Sequence, residues 1–367
     1  MYLNKLCLVN FKNYVEAELV FGEGVNCFVG DNGMGKTNLL DAIHYLAFCK
    51  SYFNPVDSQN ISHEQGFFML QGFFNFEDKT EEITCGVKRN QKKQFKRNKK
   101  DYERLSDHIG NFPLVMITPN DAELILGSSE FRRKFIDGII SQYDKVYLEK
   151  LIAYNHVLTQ RNALLKQFQE SGTFDSITLE LWNDQLILYG EGIIKKRKEF
   201  LLEFIPLFNK NYAYISNSKE PVDLIYQPSV DDKDFKNALI SSFPKDKILQ
   251  HTSVGPHRDD LEFKISSHAV KKYASQGQQK SFLLALKLAQ YEFIRSRKGF
   301  NPLLLLDDVY DKLDEGRFRQ LIQLVSKELK GQVFLTDTHR ERIQNLFSAE
   351  NIDFTLFKIE SGNAVKL

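Results

Sequence analysis

The hydrophobic and polar positions of the first thirty residues alternate in the way that β-strands require. Residues 2–11 and 15–21 predict a pair of antiparallel strands, and the short apolar run Val25–Val29 predicts a third strand. From Asn38 the apolar positions are instead spaced three and four residues apart, which is the period of an amphipathic helix. The chain therefore begins with strands that lead into a helix.

The middle of the chain is dominated by the helical period. Apolar residues recur at this spacing, with charges between them, in Phe131–Gln142, Tyr147–Gln169 and Thr178–Phe208. Heptads are not sustained over many turns, which excludes a long coiled coil. Further on, a helical segment over 282–296 precedes the continuously apolar run Leu303–Leu306. Such a run is typical of a strand buried on both faces of a mainly parallel sheet, so we expect an α/β fold.

Composition excludes several classes of protein. The 367 residues carry 49 Lys and Arg against 48 Asp and Glu, so the net charge of +1 by itself indicates neither a nucleic-acid binder nor an acidic protein. No apolar run approaches the roughly 18 residues of a membrane-spanning helix, and the N-terminus lacks the apolar region of a signal peptide. The four cysteines have no C-x-x-C spacing, which favours reduced thiols in a cytoplasmic protein over disulfides or a zinc site. We expect no contact with a membrane.

The strongest local signal lies between the third strand and the first helix. Its pattern G-x-x-x-x-G-K-T, with a strand before it and a helix after it, is the context of a phosphate-binding P-loop. Glycines let successive backbone N–H groups turn towards phosphate oxygens, and the helix from Asn38 directs the positive end of its dipole at the same anion. Lys36 would reach the β- and γ-phosphates of ATP, and the Thr37 hydroxyl would bind Mg²⁺. The predicted nucleotide-binding residues are Gly30, Asp31, Asn32, Gly33, Met34, Gly35, Lys36, Thr37 and Asn38.

Two acidic residues follow the apolar run Leu303–Leu306. Asp307 would lie at the carboxyl end of that strand and bind Mg²⁺ directly or through water. Asp308 would polarise the attacking water, which makes it, with Lys36, a predicted catalytic residue. Lys36 and Asp307 are 271 positions apart in the sequence. A compact kinase or GTPase does not need so long an interval between these two motifs. The spacing therefore predicts an insertion between the two halves of the site.

A Ser-Gln-Gly-Gln turn at residues 275–278 lies about 30 residues before the acidic pair. A hydroxyl and backbone N–H groups at a helix N-terminus form an anion site, although such turns are also common helix caps. The position of the turn within a P-loop protein favours the anion site.

These motifs resemble the ABC-type ATPase heads of the SMC superfamily, and more closely the RecF family of bacterial recombination mediators. Further segments resemble that family in order along nearly the whole chain: FRRKFID at 131–137, QRNALLK at 160–166, TSVGPHRDDLEF at 252–263, DDVYDKLDEGR at 307–317 and QVFLTDT at 332–338. The resemblance implies an ABC-type P-loop ATPase head with mixed sheets, made of residues 1–120 and 245–367. It also implies an inserted helix-rich second lobe, residues 121–244, like a short SMC arm.

The resemblance further implies a mechanism. Two heads would dimerise with ATP between them, and Ser275, Gly277 and Gln278 would contact the γ-phosphate bound to the other protomer. Asp314, in the D-loop of the family, would lie across the same interface. ATP would hold the dimer on DNA, and slow, DNA-stimulated hydrolysis would release it, which helps to load recombinase at single-strand gaps in DNA repair, replication and the SOS response. The implied partners are double-stranded DNA and single-strand/double-strand junctions, bound independently of sequence, and a RecR-like mediator protein.

Two positions are left open by the sequence. Many ABC proteins carry a γ-phosphate-sensing histidine after the last core strand, whereas Asp337, Thr338 and His339 occupy this region here. The glutamine that usually links the ATP site to the second lobe is not placed either, and Gln65 and Gln71 are the candidates.

A local excess of positive charge lies in a region of alternating strands. Eight cationic residues and no acidic residue occur within thirteen positions: Lys88, Arg89, Lys92, Lys93, Lys96, Arg97, Lys99 and Lys100. A charge run is usually a solvated hairpin, but beside these motifs we favour contact with the DNA backbone. Replacing Lys92, Lys93, Lys96 and Arg97 together is therefore predicted to weaken duplex binding and to leave ATP binding intact.

Two other functions fit parts of the sequence. The nucleotide-binding subunit of a transporter would share the P-loop, but the long helical insertion and the cationic stretch argue against it. A P-loop kinase acting on a metabolite would leave the Ser-Gln-Gly-Gln turn without a role.

Overall fold

The computed structural model describes residues 1–77, 79–171, 173–216, 220–231, 234–309 and 315–367, which form an α/β protein with three sheets. The strands are β1 Tyr2–Phe11, β2 Tyr14–Val20, β3 Val25–Val29, β4 Phe67–Phe76, β5 Lys79–Lys88, β6 Gln94–Arg97, β7 Lys100–Asp101, β8 Leu114–Ile117, β9 Val222–Gln227, β10 Asp260–Ile265, β11 His268–Ala269, β12 Leu303–Leu306, β13 Val333–Asp337, β14 Phe354–Glu360 and β15 Asn363–Lys366. The helices are α1 Lys36–Phe48, α2 Glu123–Leu126, α3 Ser129–Tyr143, α4 Lys145–Ser171, α5 Ser176–Ser216, α6 Phe235–Leu249, α7 Val270–Tyr273, α8 Gln276–Lys298, α9 Glu315–Gln323 and α10 Arg340–Ala349. Within these described segments, none of the helices has both the length and the apolarity that crossing a membrane requires.

The contacts between residues divide the chain into two compact units. The first consists of Met1–Asp121, Tyr214–Asn217 and Lys280–Leu367, and the second of Ala122–Ala213 and Ser218–Gln279. Residues 245–279, which we expected in the first unit, group with the second, because β10 pairs with β9 along its whole length. The assignment of the first unit as an ATPase head and of the second as an arm-like lobe stays a prediction.

One sheet of the first unit is antiparallel and has the strand order β2-β1-β4-β5-β6-β7. The predicted pairing at the N-terminus is confirmed, since β1 and β2 pair antiparallel with Leu6 opposite Leu19. Alternate residues of β1 are buried, and α1 contributes Leu39, Leu40 and Ile43 to the same core. Removal of this apolar surface from water, at about 25 cal/mol per Å², is the main stabilising contribution to the unit.

The other sheet of the first unit has the order β15-β14-β3-β13-β12-β8, and all of its strands except β15 run parallel. Every residue of β3, β12 and β13 is buried, as the continuous apolar run of β12 predicted. Because β13 lies between β3 and β12, the segments that follow these three strands lie side by side at the carboxyl edge of the sheet.

The second unit contains the helices that the spacing predicted. The three predicted segments lie within α3, α4 and α5, each of which extends beyond its predicted bounds. The 41 residues of α5 continue through Pro206. A small antiparallel sheet in the order β11-β10-β9 completes the unit.

Candidate functional site

The glycine-rich loop lies at the carboxyl end of β3 and leads directly into α1. Three of its glycines have positive φ angles, 157° at Gly30, 82° at Gly33 and 113° at Gly35. A Cβ atom on Gly30 would lie 2.3 Å from the carbonyl oxygen of Ile359, and one on Gly35 would lie 2.5 Å from Asn13 Nδ2. The first and last of these positions therefore require glycine for both conformation and space.

Lys36 is the first residue of α1, so the helix begins two residues earlier than the apolar spacing predicted. Its side chain folds back into the loop, where Nζ donates hydrogen bonds to the carbonyl oxygens of Gly30 at 2.6 Å and Asp31 at 2.9 Å. Only 4% of Lys36 is exposed, whereas Asp31, Asn32 and Gly33 are exposed. The loop thus holds the Lys36 ammonium group with neutral carbonyl groups. The positive charge of Lys36 is therefore not neutralised within the loop and can attract an anion.

Two turns that are distant in sequence hold the loop in place. Asn13 Nδ2 donates to the carbonyl oxygen of Met34 at 2.9 Å, and the Tyr14 hydroxyl donates to that of Gly35 at 3.1 Å. The N–H of Gly362 donates to the Met34 carbonyl oxygen at 3.1 Å. We did not predict these contacts. In the sequence these residues appear only as parts of two short turns. A turn pattern does not show which distant segment the turn contacts.

The strand order brings together the two halves of the predicted metal site. Thr37 Oγ1 donates to Asp307 Oδ1 at 2.8 Å, although 270 residues separate them. The fully buried hydroxyl of Thr336, in β13, donates to the same carboxylate oxygen at 3.0 Å. A carboxylate and a hydroxyl are oxygen ligands of the kind that Mg²⁺ prefers, so the donor set at this edge fits that ion.

Asp307 and its neighbour Asp308 have different environments. Asp307 is 4% exposed, and burial raises its pKa, against the opposing effect of the hydrogen bonds from Thr37 and Thr336. Asp308 is half-buried, and its backbone has a φ angle of 45°, in the left-handed region. Its N–H donates to Thr336 Oγ1 at 2.8 Å. The second carboxylate therefore lies nearer the surface, where water can reach it.

The residues around the end of β13 have separate roles. Asp337 is 2% exposed and accepts hydrogen bonds from Arg342 Nη2 at 2.6 and 2.7 Å, and from the N–H of His339 at 2.7 Å. His339 is exposed and immediately precedes α10, while Thr338 is half-buried. The residue of this strand that contacts the acidic pair is Thr336, which sequence reasoning did not single out.

The segment that leaves β8 beside Asp307 and enters the second unit comprises residues 118–121. It contains no glutamine, and its Asp121 accepts hydrogen bonds from Lys287 Nζ at 2.6 Å and from the Tyr52 hydroxyl at 3.1 Å. Of the two candidate glutamines, Gln71 donates to Glu82 within the antiparallel sheet at 2.7 Å. Both of these contacts of Asp121 lie within the first unit.

The Ser-Gln-Gly-Gln turn belongs to the second unit and opens α8. The N–H of Ser275 donates to Gln278 Oε1 at 2.8 Å, and the N–H of Gln278 donates to Ser275 Oγ at 3.2 Å, which is a reciprocal capping box. This cap explains why α8 begins at Gln276 rather than at the predicted Phe282. Ser275 and Gln276 are exposed, so the helix start is open to an anion. Asp314 lies outside the described residues.

The cationic stretch is divided between residues that have acidic partners and residues that are exposed. Lys93 Nζ donates to the carbonyl oxygen of Cys49 at 2.6 Å and to Asp57 at 2.8 Å. Arg97 forms a bidentate ion pair with Glu81, and Lys96 lies 3.6 Å from Asp101. The remaining cationic residues are exposed and are Lys88, Arg89, Lys92, Lys99 and Lys100. This second set is the more accessible to a large anion.

Two of the segments that carry the family resemblance, 131–137 and 252–263, meet inside the second unit. Arg197, which is 2% exposed, forms ion pairs with Asp137 at 2.9 Å and Asp259 at 3.0 Å. It also donates to the carbonyl oxygen of Pro256 at 2.7 Å. All three nitrogens of the guanidinium group therefore have acceptors.

The segment 160–166 contributes a second buried ion pair to this unit. Arg161 donates to Asp246 at 2.8 Å, and both side chains are fully buried. Elsewhere in the unit, Arg132 binds both carboxylate oxygens of Asp260 at 2.7 and 3.0 Å. The partner of Arg132 thus lies 128 residues away in the sequence.

Comparison with known proteins gives matches over nearly the whole chain. A family model described as RecF/RecN/SMC N terminal domain matches residues 2–356. The DNA replication and repair protein RecF of Flavobacterium johnsoniae is 50% identical over 359 residues, which cover 98% of this chain and 100% of that protein. The protein of the same name from Phocaeicola vulgatus is 48% identical over 368 residues, which cover 100% of this chain and 98% of that protein.

Solved structures with similar folds include the recombination mediator protein RecF with ATP in the RecFOR pathway. This structure matches with a TM-score of 0.90 and 33% sequence identity, and the match covers 100% of this chain and 97% of that chain. The Smc head domain of Pyrococcus furiosus, with an extended coiled coil and bound to the C-terminal domain of ScpA, has a TM-score of 0.58 at 20% identity, covering 100% and 96% of the two chains. This second likeness concerns the fold alone.

Proposed function

The chain belongs to the RecF family of DNA replication and repair proteins, and from this premise we propose that it is an ATP-dependent DNA-binding protein of recombinational repair. The observation that carries the proposal is the hydrogen bond from Thr37 to Asp307 across 270 residues. It joins the glycine-rich loop to the acidic strand, which are the two parts that a magnesium–nucleotide site needs.

ATP is the proposed nucleotide, and Mg²⁺ is the proposed metal ion. The N–H groups of the loop from Gly30 to Gly35 and the Lys36 ammonium bind the phosphates. Thr37 and Asp307 hold the metal ion, which neutralises phosphate charge when bound. The named RecF–ATP structure at 33% identity supports the choice of nucleotide for this chain.

Hydrolysis is proposed to act as a switch. Asp308 accepts a proton from the attacking water, and Lys36 stabilises the charge that develops on the γ-phosphate. Ser275, Gly277 and Gln278 complete the site of a second protomer, with Asp314 at the same interface. ATP therefore favours the dimer and its hydrolysis favours dissociation, because the charge shared between the protomers is lost.

DNA is the proposed macromolecular partner. The exposed cations Lys88, Arg89, Lys92, Lys99 and Lys100 contact the phosphate backbone without reading the sequence. A RecR-like mediator is the proposed protein partner, since the matched RecF structures are described as parts of the RecFOR pathway.

The nucleotide and dimer parts of the proposal are tested together. Lys36→Ala is expected to weaken ATP binding by about 30- to 100-fold, because a charge-assisted contact to phosphate is lost. Ser275→Arg is expected to bind ATP normally and to remain monomeric with ATP in analytical ultracentrifugation. Ser241→Arg, at an exposed position of α6, is the matched control and should dimerise. ATP-driven dimerisation of Ser275→Arg would show that the head-to-head arrangement is wrong.

The DNA part is tested by changing only the exposed lysines. The quadruple Gln variant of Lys88, Lys92, Lys99 and Lys100 is expected to bind duplex DNA about tenfold or more weakly at 100 mM salt, with a shallower salt dependence. This set replaces the one predicted from sequence, since Lys93 and Arg97 hold the fold. The control carries the same change at exposed lysines of the second unit, namely Lys195, Lys236, Lys245 and Lys247. Equal affinity of both variants for DNA would contradict the assignment of the stretch.

A further inference from the structure

Thr336 occupies a position that connects the two halves of the site. It precedes the last residue of β13, and its side chain is fully buried. Its backbone pairs with Phe28 of β3, the strand that leads into the glycine-rich loop. The preceding residue, Leu335, pairs with Leu306 of β12, directly before Asp307. The hydroxyl of Thr336 therefore lies between the loop and the acidic pair.

The hydroxyl makes more than one contact with the acidic pair. Oγ1 accepts the N–H of Asp308 at 2.8 Å and lies 3.0 Å from Asp307 Oδ1 and 3.4 Å from Asp308 Oδ1. A threonine hydroxyl has one proton and two lone pairs, so it donates to one carboxylate at a time while it accepts from the backbone. The shorter distance assigns the proton to Asp307 in this state.

The accepted hydrogen bond also constrains the backbone of Asp308. This residue has a φ angle of 45°, a conformation that residues other than glycine adopt rarely. The contact with Thr336 holds the N–H in that conformation, and the direction of the Asp308 side chain follows from the backbone. Both carboxylates are thus oriented by one buried hydroxyl.

We propose that Thr336 is a positioning residue for ATP hydrolysis, an inference that rests on the proposed function. Its hydroxyl holds the metal-ligand residue Asp307 and the base Asp308 in a single arrangement. The phosphate-binding groups are held by other contacts, Lys36 by loop carbonyl oxygens and the loop by Asn13. Loss of the hydroxyl therefore affects the chemical step far more than it affects ATP binding.

The test compares Thr336→Val, which keeps the shape of the side chain and removes the hydroxyl, with Thr336→Ser, which keeps the hydroxyl. The Val variant is expected to lower kcat for ATP hydrolysis about 10- to 100-fold, with KM and the magnesium-free Kd for ATP within about threefold of wild type. The Ser variant should retain kcat within about threefold. Thr355→Val, on strand β14, which is separated from β13 by β3 in the same sheet, is the matched control and should behave as wild type.

The split between kcat and KM separates positioning from a structural role. A merely structural loss should lower kcat and ATP affinity together, whereas loss of the oriented carboxylates should lower kcat alone, and the Ser variant should restore it. Thermal melting in the absence of nucleotide is expected to show that both variants are folded.

Three outcomes would overturn the inference. These are unchanged kcat in the Val variant, equal losses of kcat in the Val and Ser variants, or a loss of ATP affinity that parallels the loss of kcat. Each leaves the proposed function standing as long as the wild-type protein binds and hydrolyses ATP. A wild-type protein that binds no ATP would overturn the proposed function together with the inference.

Discussion

At the candidate nucleotide site of the first unit, buried charges are held by neutral groups, whereas the buried arginines of the second unit are held by opposite charges. Lys36 is held by two carbonyl oxygens, and Asp307 is held by two hydroxyls. In the second unit Arg197 is held by two carboxylates, and Arg161 by one. A charged side chain held by neutral groups keeps a net charge that a ligand can neutralise. A charged side chain held by an opposite charge is already neutralised within the protein. The way a charge is held therefore distinguishes a binding site from a structural core, even where both are buried.

The largest effect is expected where an ion pair is broken. Arg197→Met leaves Asp137 and Asp259 buried without their cation, so the free energy of unfolding should fall by about 3–5 kcal/mol. Urea unfolding followed by circular dichroism measures this change. The control is Lys195→Met, two residues earlier and exposed, for which a change within about 0.5 kcal/mol is expected. A small effect of Arg197→Met would show that the network does not stabilise the second unit.

Acid should weaken the same unit through a buried neutral histidine. Burial lowers the pKa of His257 to about 4, while the Tyr154 hydroxyl lies 2.7 Å from its Nδ1. Because this pKa is below the usual 6.5, the unfolded chain binds more protons between these values, and stability falls as the pH falls from about 6.5 towards 4. Between pH 7.5 and 5, wild type should lose about 1–2 kcal/mol more than His257→Gln in urea titrations. Parallel pH profiles of the two proteins would contradict this.

The smallest expected change in the free energy of unfolding is a stabilisation, and it concerns the first unit. Asp307→Asn removes a buried charge and keeps an oxygen that accepts the hydrogen bonds of Thr37 and Thr336, so the variant should be about 1 kcal/mol more stable at pH 7 without ligand. Burial raises the pKa of Asp307, so its ionisation destabilises the folded state at neutral pH, and this cost disappears as the pH falls through that pKa. The gain in stability should therefore vanish in acid. A destabilised variant at pH 7 would remove the contrast between the two units.

The local part of the site could be predicted from the sequence. The glycine-rich loop with Lys36, the acidic pair after β12 and the capped turn at Ser275 are each contained in a few consecutive residues. Their backbone geometry depends on the conformational preferences of neighbouring residues. The positions of glycines and the spacing of apolar residues show these preferences directly in the sequence.

The contacts of the site could not be predicted in this way. The sequence drew attention to Asp337 and His339 rather than to Thr336, because a threonine inside an apolar strand is common and does not by itself indicate a functional role. Lys93 and Arg97 were grouped with exposed lysines, since a charge run does not show which members have acidic partners.

The sequence by itself determined which chemical groups are present and in what local geometry: a phosphate loop at Gly30–Thr37, two carboxylates after an apolar strand, and helices between them. Only the tertiary structure decided which of these groups meet. The order of the parallel strands places β13 between β3 and β12, and this brings Thr37, Asp307 and Thr336 within hydrogen-bonding distance. The physical reason is that strand order follows from packing of the whole sheet, to which residues hundreds of positions apart contribute.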